Sequence, residues 1–228
     1  MSPLLFIPTL IKVTMKKENI LKQVVSQEYG EMKHPKITKE QLLLFPNYSD
    51  EVQKIYKELG GTLNDAPITF GLWDISTPEF IIELDEENHF NRYRAITLKS
   101  KIYQEIKGFP LKEYQKYCDQ YESDCRTYGN YWKNDSTEKC FIKSDDNGKL
   151  NGSGSSRWRQ RAFYDFLKDL TGIITNIPVI RMSIYQTFKG KNIKDIILSK
   201  NEALILQLVK SNVEKWCNSL TNQVSQTL

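Results

Sequence analysis

GLWDISTPEFIIELDEENHFNRYR, residues 71–94, holds two apolar runs with a break between them. The first, Leu72-Trp73-Asp74-Ile75, carries one carboxylate. Thr77-Pro78 then interrupts the chain, because proline fixes its own φ and has no N–H to give to a ladder. Phe80-Ile81-Ile82-Glu83-Leu84-Asp85 follows, and its β-branched and aromatic content predicts a strand. On a strand of period two, Ile81, Glu83 and Asp85 point to one face, and Phe80, Ile82 and Leu84 to the other. Two carboxylates therefore share a face, with Asp74 available from the strand before. Carboxylates inside a sheet are costly unless a positive charge neutralises them. A hard divalent cation such as Mg²⁺ does this, taking one or two carboxylates together with water and phosphate oxygens. The competing reading is an acidic strand end that merely faces solvent at an edge. The order of strand carboxylate, proline turn, Glu-x-Asp, His89 and then Arg92 and Arg94 favours a site for phosphodiester chemistry.

Outward from that stretch, Ser49 precedes Asp50-Glu51 and a run with Val52, Ile55, Tyr56 and Leu59, closed by Gly60-Gly61. This predicts a helix capped by Ser49. Residues 16–28 predict a short amphipathic helix, and Thr38 caps another before Pro46. A further helix begins near Asn91. Residues 100–156, with Gly and Ser clusters near their end, read as a helical and looped insertion. Residues 157–170, RWRQRAFYDFLKDL, predict a helix capped by Ser155 or Ser156 and ended by Gly172. Phe163, Phe166, Leu167 and Leu170 form its apolar stripe, and Arg157, Arg161, Asp165 and Lys168 lie on the opposite flank. Residues 177–185 predict a buried strand, and residues 192–223 one long helix or two. The order argues an α/β sandwich, a central mixed sheet flanked by helices. Residues 1–48 form an N-terminal helical extension and residues 49–228 the main domain, with its insertion at about 100–156.

Composition narrows the field further. With 228 residues, 39% hydrophobic and 11% aromatic, the chain can bury a sizeable core and is not disordered throughout. A net charge of +4 permits a nucleic-acid partner without demanding one. The apolar run at residues 3–13 contains two prolines, lacks a basic leader and shows no cleavage site, so no signal peptide is expected, and Met15 reads as a second start. No run approaches the roughly 20 apolar residues of a membrane span, and a cytoplasmic location is expected. That setting argues against disulfides for Cys118, Cys125, Cys140 and Cys217. Cys118, Cys125 and Cys140 are candidate ligands of a structural Zn²⁺, but no Cys-x-x-Cys supports them, and idle thiols are the default.

Ile82-Glu83-Leu84-Asp85-Glu86-Glu87-Asn88-His89, the Arg-bearing helix at 157–170 and the Arg-bearing strand at 177–185 resemble the PD-(D/E)xK nuclease superfamily, the restriction-endonuclease-like fold. The nearest branch is the one like very-short-patch-repair endonucleases, in which a strand ending in Glu-x-Asp is followed by His. The resemblance covers residues 50–99 and 155–190. It implies that Asp74 and Glu83 bind Mg²⁺, or Mn²⁺ in its place, together with the Leu84 carbonyl. The ion would polarise the scissile phosphate and acidify an attacking water. Asp85 stands where the family pattern has its lysine, so His89 or Lys99 would orient water or stabilise charge. Glu86 stands where this branch often has glycine. Glu51 and Glu58 are further candidates, because the superfamily sometimes adds a helix carboxylate.

Arg157, Arg159 and Arg161 around Trp158, with Arg92 and Lys168, are the candidate contacts to nucleic-acid phosphates. The expected function is a metal-dependent endonuclease acting on DNA, with a homodimer or a defence or repair protein as further partners. The alternative is a nuclease fold without activity that binds nucleic acid or a protein. A carboxylate-based glycosidase is a third class, disfavoured because both carboxylates lie on one strand beside an arginine-rich helix.

Overall fold

A computed structural model describes residues 15–106 and 108–224, with side chains through position 216. The apolar run at 3–13 and the Cys217 side chain lie outside the described residues. The helices are α1 (Lys17–Tyr29), α2 (Lys39–Leu43), α3 (Pro46–Glu58), α4 (Arg92–Thr97), α5 (Leu111–Gln120), α6 (Asp135–Cys140), α7 (Ser156–Thr175), α8 (Ile193–Leu198) and α9 (Glu202–Val224). The strands are β1 (Ile75–Ser76), β2 (Ile81–Asp85), β3 (Val179–Ser183) and a small hairpin, β4 (Thr187–Phe188) with β5 (Lys191–Asn192). The class is mixed α/β.

The main sheet is mixed, in the order β1-β2-β3. β1 pairs antiparallel with β2 across the Thr77-Pro78 turn, placing Ile75 opposite Ile82. The Thr77 hydroxyl holds that turn, accepting from the Phe80 N–H and donating to the Phe80 carbonyl. β2 pairs parallel with β3, with Glu83 opposite Arg181 and Asp85 opposite Ser183. A parallel pair needs a long crossover, and α7 runs back over the sheet to provide it. β2 and β3 are buried at every position, as a sheet covered on both faces requires.

Two apolar clusters sandwich the sheet. On one side Ile20, Leu21, Val24 and Val25 of α1 pack with Ile82, Leu84, Met182, Ile196, Ile197 and Leu208. On the other, Phe163, Phe166, Leu167 and Leu170 of α7 join Tyr56, Phe90, Tyr114, Trp132 and Phe141. Burying each such aliphatic or aromatic side chain is worth about 1.5–3 kcal/mol. Residues 100–156 contribute Tyr114, Cys118, Cys125 and Trp132 to that second cluster, so this insertion is part of the core.

Several local expectations are corrected. Ser49 is not the cap of α3: Pro46 takes the first helical position, where its missing N–H costs nothing, and the helix starts four residues earlier. Gly172 does not end α7. The helix runs to Thr175 and closes on Asn176 in the left-handed conformation, φ 55°. Gly172 instead packs closely beside the start of β3, where a Cβ would lie 3.0 Å from Val179 Cγ2 and 3.2 Å from the Ile177 carbonyl. The caps at Thr38 and Ser155 hold: Thr38 accepts from the Gln41 N–H in a capping box, and Ser155 accepts from the Trp158 N–H. Residues 192–223 form two helices, separated near Lys200.

Candidate functional site

The β1–β2 hairpin folds Asp74 and Glu83 onto each other. The Asp74 N–H donates to Glu83 Oε1 at 3.2 Å, and the Leu84 N–H donates to Asp74 Oδ2 at 2.9 Å. Asp74 Oδ1 takes part in neither bond. Glu83 Oε2 accepts from the Lys168 ammonium at 2.6 Å, and that ammonium also donates to the Leu72 carbonyl at 2.9 Å. Glu83 is 1% exposed. Beside this pair, the Trp73 indole N–H is buried without an acceptor, and Lys168 Nζ sits 5.7 Å from the Trp73 ring.

Charge around the pair is out of balance. Burial, then the charge of Asp74, pushes the Glu83 carboxyl up to about 8, although Lys168 and Arg181 oppose the rise. Burial likewise raises Asp74 against the pull of Lys168. Glu18, in the first turn of α1, is raised by partial burial and by Asp74 and Glu86. Lys168 is held charged: burial opposes its ammonium, but Glu83 and Asp74 outweigh it. Lys168 thus serves both carboxyl groups, with the Arg181 guanidinium 4.0 Å from Glu83 Oε2, and a third acid, Glu18, is close enough to feel Asp74.

Two residues further along β2 the balance is different. Arg181, fully buried on β3, meets Asp85 Oδ1 at 2.7 Å, Asp165 Oδ1 at 3.2 Å and Asp169 Oδ1 at 2.7 Å. His89 Nδ1 lies 2.8 Å from Asp165 Oδ2 and 3.2 Å from Asp85 Oδ1. Arg94 pairs with Asp169 at 2.8 Å, and Tyr114 and Tyr103 donate to Asp85 and Asp169. Burial opposes the imidazolium of His89, yet Asp165 and Asp85 raise its pKa. Burial also opposes ionisation of Asp165, but His89 and Arg181 hold it well below the usual carboxylate range. Three carboxylates face two guanidiniums and an imidazole whose protonated form they favour, so each carboxylate here has a cationic partner. By geometry it could also hold a metal ion, since one donor atom each from Asp85, His89 and Asp165 lie within 4.8 Å of one another.

Sequence reasoning brought together Asp74, Glu83, Leu84, Asp85 and His89, and the structure does so too. Lys168 was expected to face nucleic acid and instead pairs with Glu83. Lys99, just beyond α4, is exposed and joins none of these carboxylates. Arg159 is corrected as a phosphate contact: it is buried, donating to the Leu59 and Ser153 carbonyls and stacked over Tyr93. Arg92 is tied to Glu122 at 2.8 Å and to the Leu150 carbonyl. Arg157 and Arg161 remain without an ion pair within 4.0 Å among the described residues. Glu51 bonds weakly to Lys54, and Glu58 is exposed; the helix carboxylate near Asp74 is Glu18.

The zinc expectation also changes. Among the described residues Cys118, Cys125 and Cys140 do not form a ligand group. The Cys125 thiol donates to the Glu87 and Phe90 carbonyls. Burial pushes Cys118 and Cys125 up to about 12, away from the thiolate a metal needs. Asp165, Asp169, Arg94 and Arg181 were missed as site residues. The signal available was the i, i+4 pair Asp165–Asp169 on one helix face, the face that carries Lys168 as well.

Residues 54–199 match the model of a family described as "family of unknown function (DUF7255)". The match spans the hairpin, α7 and β3, and leaves out α1 and α9. No curated protein matches, and no solved structure matches. Among the described residues no helix is long and apolar enough to cross a membrane.

Proposed function

We propose, for a chain that belongs to the DUF7255 family, that Asp74, Glu83 and Lys168 form the centre of a divalent-metal-dependent hydrolase of nucleic-acid phosphodiesters, on a restriction-endonuclease-like sandwich. One observation carries this reading: the hairpin locks two buried carboxyl groups together beside Lys168 at 2.6 Å, with Arg181 4.0 Å from Glu83, and without a further cation burial pushes the Glu83 carboxyl up to about 8. Buried carboxylates in that state are relieved by a cation. The residues fit a hard ion such as Mg²⁺ or Mn²⁺: both side chains offer oxygen donors, and Asp74 Oδ1 takes part in neither hairpin bond. Asp85, His89 and Asp165 fit less well, because the Arg181 guanidinium already pairs with both carboxylates.

When bound, a divalent ion supplies Lewis-acid polarisation of phosphoryl oxygens and acidification of an attacking water. The chain's own residues supply the rest. Asp74 and Glu83 fix where such an ion would sit. Lys168 spends two of its three N–H bonds on Leu72 and Glu83, and directs the third at charge developing on a phosphoryl oxygen. It thus fills from α7 the role that Asp85, in place of the usual lysine on the strand, cannot. His89, oriented by Asp165 through Nδ1, presents its partly exposed ring as a proton donor for the leaving oxygen. Fusing the second cluster's carboxylates to Arg181 keeps Asp85 out of metal chemistry and makes it a positioning residue for His89.

Incubating plasmid DNA with the protein and Mg²⁺ or Mn²⁺ tests the reading. Wild type should cut, and Glu83→Ala and Lys168→Met should not. Cutting by both variants at the wild-type rate would overturn it. A non-cutting nuclease fold that binds nucleic acid is the second reading, favoured by the Lys168 contact that already occupies Glu83 Oε2; binding without cutting by the wild type would select it.

A further inference from the structure

Arg126 and Arg161 both bond Asn88 in the 3₁₀ turn Glu87–His89 that follows β2, and Arg157, whose guanidinium donates to Gln160 Oε1, is Arg161's neighbour on α7. Arg161 donates to the Asn88 carbonyl at 3.5 Å, and the Arg126 N–H donates to Asn88 Oδ1 at 2.9 Å. Arg157 lies one turn before Arg161 on the same face of α7. None of the three forms an ion pair within 4.0 Å among the described residues. The nearest acid on α7, Asp165, is already spent on His89 and Arg181. Burial lowers the pKa of both Arg157 and Arg161, and Arg157 lowers that of Arg161 further. Partly buried like charges side by side without a counter-ion are destabilising, and an anion seated between them removes that cost.

The wall beside them is aromatic. The Arg126 guanidinium lies 4.6 Å from the Tyr131 ring centroid and donates to the Tyr131 hydroxyl at 2.6 Å. Tyr128, 59% exposed, packs edge-on to Tyr131 at 5.9 Å. This wall is fixed to α7: the Trp158 indole N–H donates to the Arg126 carbonyl, and the Arg157 N–H to the Trp132 carbonyl. Exposed tyrosine next to arginine without counter-ions is the chemistry that stacks unpaired bases and neutralises their phosphates. Paired bases offer no free face for such stacking.

We propose that Arg126, Arg157 and Arg161 with Tyr128 and Tyr131 bind a single-stranded stretch of nucleic acid, its phosphates on the α7 arginines and a base on the tyrosines, leading the strand past His89. The proposal rests on the hydrolase reading for what happens next, so its test is made without metal. Fluorescence anisotropy with a labelled single-stranded 20-mer in EDTA measures binding alone, and the same sequence as a duplex is the comparison.

Wild type should bind the single strand more tightly than the duplex. Arg157→Gln with Arg161→Gln should lower the slope of log K against log salt by about 1.4, at roughly 0.7 per lost phosphate contact. Tyr128→Ala, at an exposed position that does not threaten folding, should weaken single-strand binding about five-fold or more while leaving duplex binding unchanged. Arg161→Lys should restore most of the salt slope. Equal affinity for duplex and single strand, an unchanged salt slope in the double variant, or no binding by the wild type would each overturn the proposal. Binding as expected with no cutting in Mg²⁺ would sink the hydrolase reading and leave this surface standing. Cutting with unaltered binding in the arginine variants would do the reverse.

Discussion

Replacing Glu83 by glutamine should make the protein without metal more stable at neutral pH, although it removes a carboxylate from an ion pair. The reason is linkage. The Glu83 carboxyl has its usual value of 4.5 in the unfolded chain and is pushed up to about 8 when buried. Between those values the folded state holds a proton that the unfolded state has lost. Stability from this group is therefore complete below about pH 4.5 and is lost progressively as pH rises toward 8. One proton is worth about 1.4 kcal/mol per pH unit, so from pH 5.5 to 7.5 the wild type should lose roughly 2–3 kcal/mol through Glu83. For a chain of this length that is a melting temperature roughly 5–10 °C lower at the higher pH. Glutamine keeps an acceptor for Lys168 and cannot ionise, so its melting temperature should fall much less over the same range. His89, whose pKa is raised above 6.5, adds a decline of the same sign to both proteins, so the difference between the two curves isolates Glu83. Asp165 is lowered, so its contribution is lost only in acid, below this window. Thermal unfolding in chelator at closely spaced pH values measures the effect. Parallel curves for wild type and Glu83→Gln would refute the picture of an under-neutralised buried pair.

Mg²⁺ or Mn²⁺ at a hundredfold excess over its dissociation constant should stabilise the wild type by about 2.7 kcal/mol. Asp74→Asn should abolish that gain and His89→Gln should leave it; the opposite result in calorimetry would move the ion to the second cluster. Arg181→Met should cost about 3–5 kcal/mol in urea unfolding, because Asp85, Asp165 and Asp169 lose their common partner. Arg159→Ala should cost about 1.5–3 kcal/mol through its lost carbonyl bonds, with no change in nucleic-acid affinity. A large affinity loss in that variant, measured by anisotropy on folded protein, would restore it to the binding surface.

The Asp74–Glu83 meeting was legible because a strand's period of two and a proline turn leave little freedom over eight intervening residues. Other parts were hidden for a physical reason. A helix with one apolar stripe and one charged flank looks the same whether that flank meets water or another set of charges. On α7 the flank with Asp165, Lys168 and Asp169 meets Glu83, Asp85 and Arg181, so residues that read as solvated are the buried half of the site. Glu18 was out of reach because nothing in a thirteen-residue helix says which strand its first turn will face. Nothing local in the sequence marks Arg94 and Arg159 as buried, yet each is held inside by partners remote in the chain.

The register of β2 with β3 joins positions 98 residues apart, and the Asp85–Arg181 ion pair beside it spans 96. Until that long loop closes, each charge keeps its own shell of water and none is under strain. Drying any of them out before its partners arrive would be costly, so their desolvation is tied to the docking of α7 on the parallel pair. Intermediates with half the ladder would strand ions of one sign in a forming core, so the chain has little to gain from stopping partway.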